Sequence, residues 1–519
     1  MAITRRTALA AIGATGVAGA AKAAVAVERW GVFELTLSGP KSGNPFVDVT
    51  LDVEFRQGPA SITVPGFYDG DGVYRVRFSP DGEGAWTYAT RSNAKALNGK
   101  TGSFTATAPS KGNHGPVRIT AGYHFAHADG TPFRQIGTTC YSWAQQSDAK
   151  CAQTIATLKA SPFNKMRMLV FPNVAAEPIK PYIETGSGPA DWDPERFNPV
   201  FFQKYDDRVR RLGEIGVQAD VILFHPYDAA TKHSAMSRAH DELYLRYLIA
   251  RLSAYRHVWW SLANEFDGVK TKQVADWDHI GDYIARNDPH QRLRSIHNEK
   301  VFYDNRKAWV THSSVQNGTA VTDDTRAEVY RSVWEKPVIF DEVCYEGHIK
   351  ARWGQLSGEE LVSRFWHGTV AGTYVGHSEV LDPADQANTS WLGQGGTLAG
   401  TSASRLAFLK SVLEAGPVPG IEPIDKWWDR HIGGQAGKYY LRYFGSDTPT
   451  QWQVALPKVG LNGGETFRAD ILDTWNMTVT PVDGTFTLVA LDTYTFGDPT
   501  RLALPLPGKP WQAVRLTRV

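Results

Sequence analysis

The amino-acid sequence predicts a multidomain protein in which a (β/α)8 TIM barrel is flanked by N-terminal and C-terminal antiparallel β-sandwich domains. Three observations lead to this prediction. The chain has 519 residues, which is enough for roughly three domains of about 150 residues each. Both ends of the chain alternate apolar and polar residues at a period of two, which is typical of strands with one buried face. The middle alternates short apolar runs with amphipathic helical segments, which is typical of a barrel.

The first predicted sandwich covers residues 27–109. Val47–Phe55 reads VDVTLDVEF, which places apolar side chains on one face of a strand. The segments GVYRVRFSP and GAWTYATRS lie on either side of the turn residues DGEG and predict a strand pair. The linker to the barrel is Ala108–Pro116. The second predicted sandwich covers residues 425–519, where KYYLRYFG, FRADILDTW and QAVRLTRV show the same alternation.

The predicted barrel covers residues 117–416, which compares with roughly 250 residues for a typical (β/α)8 barrel and leaves room for long loops. Helical runs such as FFQKYDDRVRRLGEIG and HDELYLRYLIARLSAY separate the strands. An open, doubly wound sheet is the competing fold, but no glycine-rich phosphate loop follows the first strand. The eight expected strands are FRQIGTTCY, FNKMRMLVF, QADVILFHP, HVWWSLANE, LRSIHNE, AWVTHSSVQ, PVIFDEVC and GTYVGHSEV.

The composition argues against several classes of function. Hydrophobic residues make up 42% and charged residues 21% of the chain, as in ordinary soluble proteins. The formal net charge of +1 provides no general attraction for nucleic acid or an anionic membrane, and we expect neither partner and no membrane span. The three cysteines form no disulfide framework, and the chain has no CxxC or HExxH motif. We therefore expect no metal site and no cofactor. The sequence carries no signal for the oligomeric state.

The N-terminal segment is typical of an export signal. Arg5 and Arg6 precede a weakly apolar run rich in alanine and glycine, and small residues suited to cleavage follow. The adjacent arginines resemble a twin-arginine signal, although Ala8 and Ala10 depart from the usual pattern. A general secretory signal is the alternative. Either one assigns residues 1–26 to the signal and predicts a periplasmic or secreted protein.

Polar side chains follow the predicted strands at their carboxyl ends, where barrel enzymes hold their reactive groups. Strand four runs from buried apolar residues directly into Asn264 and Glu265, and strand seven ends at Glu342. Closing a buried strand with a carboxylate carries a desolvation cost, which points to a functional reason. The other strand ends contribute Tyr141, Trp143, Arg167, His225, Tyr227, Asp228, Asp267, His297, Asn298, Glu299, His312, Gln316, Tyr345, His377 and Glu379.

Glu265 and Glu342 are the predicted catalytic pair, because strands four and seven lie on opposite sides of an eight-stranded barrel. Two facing carboxyl groups, about 5–5.5 Å apart, would suit retaining hydrolysis of a glycosidic bond. A second Asn-Glu pair, Asn298-Glu299, ends strand five. We prefer the first because its strand is longer and more apolar, and because Glu342 follows Glu265 by 77 residues, close to three βα units. Alternation along strand seven predicts that only one of Asp341 and Glu342 points inward.

The Asn-Glu pair after strand four and the isolated glutamate after strand seven resemble the clan A glycoside hydrolases, the cellulase-like retaining enzymes. The resemblance implies that Glu265 is the acid/base and Glu342 the nucleophile, acting on a carbohydrate without a cofactor. It also implies that Asn264 contacts the sugar 2-hydroxyl and that Arg167 supports the nucleophile. His312 is the nearest match to the usual strand-six histidine or tyrosine. Segments of the flanks and the barrel also resemble bacterial members: GVFELTLSGP, VRFSPDGEGAWTY, WLGQGGTLAG, DTWNMTV and QAVRLTRV.

We predict further sugar-binding roles for several side chains at the strand ends. The histidines could instead be satisfied residues of the core. The tryptophans could stack on a sugar face or simply fill the core. Glu379 could hold a sugar hydroxyl at the pocket floor. The predicted set, besides Asn264 and Arg167, is His225, His312, Trp143, Trp391, Tyr345, His377 and Glu379.

Two alternatives stay open from the sequence. One is an inverting glycosidase on the same barrel, with Asp228 or Glu299 as the base and a larger carboxylate separation. The other is a non-catalytic carbohydrate-binding protein, although two facing carboxylates argue against it. The clan A resemblance implies cleavage of β-D-glycosides or α-L-arabinofuranosides and does not specify the sugar. The long segment Pro172–Glu195 is expected to wall off one side of the cleft, which favours exo action.

Overall fold

The computed structural model describes residues 25–174, 177–382, 386–424 and 431–519. The predicted export signal, residues 1–26, therefore lies almost entirely outside the described residues. The described chain forms a β-rich region, a central parallel barrel and a second β-rich region. This architecture confirms the coarse prediction of a TIM-like barrel with additional β-rich domains. Within the described ranges, every helix is too short or too polar to cross a bilayer.

The N-terminal region contains two sheets that share one apolar core. Its elements are β1 (Val25–Glu28), β2 (Phe33–Ser38), α1 (Pro45–Asp48), β3 (Leu51–Gln57), β4 (Ala60–Pro65), β5 (Phe67–Tyr68), β6 (Val73–Phe78), β7 (Gly84–Ser92) and β8 (Thr101–Thr107). One sheet has the order β1-β8-β7-β3-β4 and the other β2-β6-β5. Alternate side chains, such as Val53 and Phe55 on β3, are fully buried in the shared core. The period-two pattern in the sequence thus reflects the one buried face of each strand.

The central region is built from strands and helices in alternation. Its elements are β9 (Val117–Thr120), β10 (His124–His127), β11 (Gly137–Thr139), α2 (Asp148–Lys159), β12 (Lys165–Leu169), β13 (Tyr182–Glu184), β14 (Trp192–Phe197), α3 (Pro199–Glu214), β15 (Gln218–Phe224), α4 (Arg238–Leu252), β16 (Val258–Ala263), α5 (Val274–Asn287), β17 (Arg294–Ser295), β18 (Ser313–Gln316), α6 (Asp324–Trp334), β19 (Val338–Glu342), β20 (Glu346–Gly347), α7 (Gly358–Val370), β21 (Tyr374–His377), β22 (Glu379–Val380), α8 (Trp391–Gln394) and α9 (Ser402–Glu414).

Eight of these strands close into a parallel barrel. Their order is β17-β16-β15-β12-β11-β21-β19-β18, and the neighbouring strands pair in parallel. A parallel bridge between His297, just after β17, and Ser314 on β18 joins the two edges of the sheet. Since both faces of a barrel strand are covered, whole strands such as β15 and β16 are buried. This explains the continuous apolar runs of the sequence.

Local capping signals set where several barrel helices begin. The side chain of Ser147 accepts a hydrogen bond from the backbone of Lys150 at the start of α2. Ser357 and Glu360 form a reciprocal capping box at the start of α7. Such caps satisfy backbone N–H groups that have no partner within the helix.

The barrel interior carries an apolar layer at its amino end and a charged layer above it. Phe125 of the β9–β10 hairpin packs on Trp259 at a ring distance of 5.3 Å and closes the amino end. Above them, Lys165 Nζ lies 2.6 Å from Asp220 and 2.9 Å from Asp341. All three charged side chains are at most 1% exposed. Because buried charges are tolerated only when paired, this layer supports the strands whose ends form the barrel mouth.

The C-terminal region packs a β-sheet against the barrel helices. Its strands are β23 (Glu422–Pro423), β24 (Ile432–Gln435), β25 (Tyr439–Tyr443), β26 (Gln451–Gln453), β27 (Leu456–Pro457), β28 (Glu465–Asp473), β29 (Thr478–Pro481), β30 (Phe486–Ala490), β31 (Thr495–Gly497), β32 (Ala503–Pro505) and β33 (Gln512–Arg518). The main sheet has the order β23-β24-β25-β33-β28-β30-β31-β27. Tyr443 of β25 stacks on Trp366 of α7 at 5.6 Å, so the sheet shares a core with the barrel.

Candidate active site

A cavity of about 620 Å³ opens at the carboxyl ends of the barrel strands. Two glutamates face into this cavity: Glu265, which follows β16 by two residues, and Glu342, which is the last residue of β19. Tyr141 after β11, Tyr227 after β15 and Gln316 at the end of β18 complete its polar floor. These side chains are distant in sequence, but each lies at the carboxyl end of a parallel strand. They therefore meet at one mouth of the barrel, where barrel enzymes hold their reactive groups.

Glu342 lies in a strongly polar, buried setting. Its Oε1 atom lies 3.0 Å from Arg167 Nη1 and 3.3 Å from His297 Nε2, and it accepts a hydrogen bond from the Tyr141 hydroxyl. Burial alone would raise the pKa of Glu342. The His297 imidazole, the Arg167 guanidinium and the Tyr141 hydroxyl outweigh burial and hold that pKa well below its usual range. Glu342 is therefore ionised at neutral pH.

Glu265 has a less polar environment. Its backbone is left-handed, with φ at 47°, a conformation that costs a residue with a side chain about 1 kcal/mol or more and turns this carboxylate toward the cavity. The hydroxyl of Tyr227 donates to Glu265 Oε2 at 2.7 Å. Burial, followed by the nearby charge of Glu342, raises the pKa of Glu265 to about 7. The carboxyl group thus retains a proton under conditions in which Glu342 is ionised.

Asn264 and Arg167 link the two glutamates from below. Arg167 Nη2 donates to Asn264 Oδ1 at 2.5 Å, and Asn264 Nδ2 donates to the Tyr227 hydroxyl at 2.7 Å. Arg167 also contacts Glu342, as described above. The structure thus brings together Asn264, Arg167, Glu265 and Glu342, four of the residues that the sequence predicts for the site.

Gln316 lies between the two carboxylates. With its amide nitrogen facing the cavity, it donates to Glu265 Oε1 at 3.1 Å and to Glu342 Oε2 at 3.2 Å. The nearest oxygens of the two carboxylates therefore lie within about 6.3 Å of each other, an upper limit that is compatible with the separation of about 5–5.5 Å in retaining glycosidases.

A β-bulge in β19 directs both Asp341 and Glu342 inward. Ser314 pairs with Ile339 and Gln316 pairs with Glu342, so β19 contains one residue more than β18 over this stretch. The extra residue breaks the period-two alternation. Asp341 consequently contacts Lys165 inside the barrel while Glu342 faces the cavity. The prediction that only one of the two points inward is wrong for this reason.

Of the other predicted binding residues, Tyr345 lines the cavity and His225 lies beneath it. His225 is fully buried, and its Nε2 atom lies 2.8 Å from the carbonyl oxygen of Phe171. Its Nδ1 atom accepts from the Tyr227 backbone at 3.1 Å, and the two rings stack at 5.3 Å. His225 therefore positions Tyr227 and does not itself reach a sugar.

His312 does not lie at the mouth. The sixth strand begins at Ser313, so His312 precedes the strand instead of ending it. It is fully buried at the amino end of the barrel, where its ring packs against Trp259 at 5.1 Å and Phe125 at 5.8 Å. Gln316 occupies the true end of this strand, and His297 from the neighbouring strand is the imidazole beside Glu342.

Trp143 and Trp391 are core residues and cannot stack on a substrate. Trp143 is fully buried, and Trp391 is 2% exposed and donates its indole N–H to Thr138 Oγ1 at 2.9 Å. Trp353 instead presents a ring to the cavity, is 40% exposed, and packs edge-on against Tyr345 at 5.8 Å. Trp353 belongs to a short 3-10 helix, Arg352–Gly354, outside the barrel strands, so no strand pattern indicated it.

His377 and Glu379 also lie outside the cavity. The His377 ring stacks on Phe163 at 4.5 Å, and its Nδ1 atom lies 3.1 Å from Thr138 Oγ1. Glu379 is 1% exposed and accepts hydrogen bonds from the backbone N–H groups of Ala399 and Gly400. Burial raises its pKa to about 7. Glu379 therefore supports the loop before α9, whereas His377 packs in the barrel against Phe163 and Thr138.

The other strand-end carboxylates also have structural partners. Asp228 Oδ2 accepts from the backbone of Ser234 at 2.5 Å. Glu299 pairs with Lys300 at 2.5 Å at the rim of the mouth. The site residues that the predicted set omits are Tyr141, Tyr227, His297, Gln316 and Trp353. The first four lie at the carboxyl ends of barrel strands, and this position was the only sequence feature that could have indicated a role in the site.

Comparison with known proteins assigns the chain to a family. Residues 120–417 match the family described as apiosidase-like, catalytic domain. The flanks match two domain families of unknown function, DUF5060 at residues 26–93 and DUF5605 at residues 428–517. A search of curated proteins finds no match.

Solved structures agree with this family match. A crystal structure of a candidate glycoside hydrolase from Bacteroides vulgatus ATCC 8482 is 36% identical, with a TM-score of 0.91, over 95% of this chain and 100% of that one. A family 5 glycoside hydrolase from the same organism is 15% identical, with a TM-score of 0.59, over 78% of this chain and 94% of that one, and shows the shared fold alone. The apiosidase-like match spans more than half of the chain, and the barrel mouth holds two facing glutamates. The chain therefore belongs to the apiosidase-like family and is a glycoside hydrolase.

Proposed function

We propose that the protein is a retaining glycoside hydrolase in which Glu265 is the acid/base and Glu342 the nucleophile. The observation that supports this proposal is the proximity of Glu265 and Glu342 together with the opposite shifts of their pKa values. The two carboxylates are joined by one amide nitrogen, and their environments push their pKa values in opposite directions. A protonated acid beside an ionised nucleophile is the arrangement that double displacement needs.

In the first step, Glu342 attacks the anomeric carbon while Glu265 donates its proton to the leaving oxygen. A glycosyl ester then links the sugar to Glu342. Formation of this ester removes the negative charge on Glu342, which favours the ionised form of Glu265. In the second step, Glu265 takes a proton from water, and the resulting nucleophile releases the sugar with net retention.

For the substrate, we propose a terminal sugar of a poly- or oligosaccharide in a β-D-glycosidic or α-L-arabinofuranosidic linkage. A cavity of about 620 Å³ lies within the roughly 300–1,000 Å³ range of small-ligand pockets, which supports exo action. Asn173, from the predicted wall segment 172–195, lines it on one side. The family description names an apiosidase, so terminal apiosyl groups are further candidates.

We also propose that the enzyme is exported, on the basis of the arginine pair and the small-residue run within residues 1–26. Expression of the full chain in a Gram-negative host, followed by fractionation, tests this. We expect a shortened protein in the periplasm or medium. An Arg5→Lys, Arg6→Lys double variant should separate the twin-arginine route from the general secretory route.

The experiment that tests the activity is hydrolysis of a panel of aryl glycosides and plant and bacterial polysaccharides. The panel should include apiosides and arabinofuranosides, with wild type and Glu342→Gln side by side. Glu299→Gln is the matched control, because it removes a carboxylate at the rim of the same mouth. We expect cleavage by wild type and Glu299→Gln only, and NMR should detect the product first with the anomeric configuration of the substrate. Full activity in Glu342→Gln, or an inverted first product, would contradict the proposed mechanism.

A further inference from the structure

A cluster of three metal-ligating side chains lies at the contact between the barrel and the C-terminal region. Asp324 is the first residue of α6, His367 is in the last turn of α7, and His431 directly precedes β24. The candidate ligand atoms of the three residues all lie within 4.8 Å of one another. Because the residues come from three separate segments, no spacing motif in the sequence could reveal the cluster.

Two polar atoms of this cluster have no hydrogen-bond partner in the described part of the chain. They are Asp324 Oδ2 and His367 Nδ1. The side chains are 2% and 10% exposed, respectively, so bulk water does not readily satisfy them. Buried polar groups are nearly always paired, so two unpartnered atoms in one cluster of ligand-type side chains indicate an absent partner.

The electrostatics of the cluster favour a cation. The Asp324 carboxylate is buried, and within the described ranges its ion-pair partners are the two imidazoles. His431 Nδ1 hydrogen-bonds to Asp324 Oδ1, and His367 Nδ1 lies 3.7 Å from the same oxygen. A buried carboxylate needs a compensating positive charge, which a metal ion bound between the carboxylate and the two imidazoles would supply.

A second cluster of the same kind differs because its carboxylates already have hydrogen-bond donors. Glu346, His377 and Glu379 also place three ligand atoms within 4.8 Å of one another. Their carboxylates, however, already accept hydrogen bonds from the backbone N–H groups at residues 399–402. Those oxygens have little need of a further ligand, whereas Asp324 Oδ2 has none of these donors.

We propose that Asp324, His367 and His431 bind a divalent transition-metal ion of the Zn²⁺ class. Two imidazoles and one carboxylate form a ligand set that zinc commonly takes in proteins, with water in the fourth position. The His431 side chain is 37% exposed, which leaves a path for the ion and room for that water.

The position of the site indicates a structural role. The Tyr443 ring packs edge-on against His367 at 4.9 Å. A side chain at Gly445 would begin 3.0 Å from His367 Nε2, so glycine permits the close approach of the C-terminal region. An ion held by α6, α7 and His431 would fasten this region to the barrel, and none of its three ligands lines the cavity of Glu265 and Glu342. The proposal is therefore independent of the proposed catalytic mechanism.

The test is zinc titration, at pH 8, of full-length protein stripped with a chelator. We expect one equivalent of Zn²⁺ to bind with micromolar or tighter affinity and to raise the thermal midpoint by several degrees, because a ligand that binds only the folded state stabilises it. Co²⁺ in place of Zn²⁺ should show the visible absorption of four-coordinate cobalt.

His431→Ala and Asp324→Asn should lose the binding and the thermal shift, while His240→Ala, a histidine outside the cluster, should keep both. His431 is partly exposed, so its truncation should preserve folding, which circular dichroism would verify. Absence of zinc binding to the wild type would overturn the proposal. Unchanged binding in both His431→Ala and Asp324→Asn would overturn it as well, by showing that the ion binds elsewhere.

Discussion

Glu265 and Glu342 face each other across the barrel mouth, each within 3.2 Å of the amide nitrogen of Gln316. The two carboxyl groups have different surroundings. Glu342 contacts Arg167 and His297, whereas Glu265 has one hydroxyl donor, Tyr227, and the negative charge of Glu342 nearby. Two residues of the same type thus differ in acidity, as the proposed acid and the proposed nucleophile require.

The pH dependence of kcat/KM should show a basic limb near pH 7. The acid must be protonated to act, and the pKa of Glu265 is raised to about 7, so activity should fall as pH rises through that value. Glu342 stays ionised well below this range, so it should not limit activity between pH 5 and 7. The measurement is kcat/KM on an aryl glycoside across pH; a rate that rises through pH 7 would contradict the assignment.

Tyr227→Phe should move that basic limb to higher pH. The Tyr227 hydroxyl donates to Glu265 and lowers its pKa, so its removal should raise the pKa, by at most about one pH unit for one hydrogen bond. Tyr494→Phe, on the exposed surface of the C-terminal region, is the control and should leave the profile unchanged. A downward shift in Tyr227→Phe would show that the hydroxyl stabilises the neutral acid instead.

Glu265→Ala should lose about 10²–10⁴-fold in rate on substrates with poor leaving groups, because general acid catalysis contributes about this much. The loss should be far smaller with a dinitrophenyl leaving group, which needs no proton. Azide should restore turnover and yield a glycosyl azide of retained configuration, since the small anion can replace water without a base. Glu299→Ala should show neither the leaving-group dependence nor the azide effect.

Trp353→Ala should raise KM roughly fivefold with a smaller change in kcat. Its ring is the exposed indole of the cavity wall, and the loss of one aromatic contact is worth about 1 kcal/mol. Tyr494→Ala, which removes an aromatic ring that is 59% exposed in the C-terminal region, is the matched control. Steady-state kinetics on the best substrate of the panel would decide, and an unchanged KM would show that the ring does not contact the sugar.

Lys165→Met should destabilise the fold by about 3–5 kcal/mol, because it leaves Asp220 and Asp341 buried without their cation. Urea unfolding followed by tryptophan fluorescence measures this. Lys300→Met removes a lysine that is 78% exposed, and should change stability by less than about 0.5 kcal/mol. A second change, Asp220→Asn, should recover part of the loss in Lys165→Met; failure to do so would argue against the charge explanation.

The sequence by itself determined the barrel and the identity of its central carboxylates. The buried strand that ends in Asn264 and Glu265 is covered on both faces, so its apolar run is continuous and its end is unmistakable. Arg167, inside a strand of the same kind, was accessible to the same reasoning. These features depend on the local periodicity of apolar residues, which can be read directly from the sequence.

Only the tertiary structure decided which other side chains meet the cavity. Pairing between neighbouring strands sets the bulge in β19, the late start of β18 and the turn after β21. These three features determine the positions of Asp341, His312 and Glu379, respectively, which differ from those expected from the sequence. Trp143 and Trp391 were indistinguishable from Trp353 by residue type, because burial is a property of the packed molecule. Asp324, His367 and His431 meet for the same reason: contacts between distant segments are set by how the domains pack.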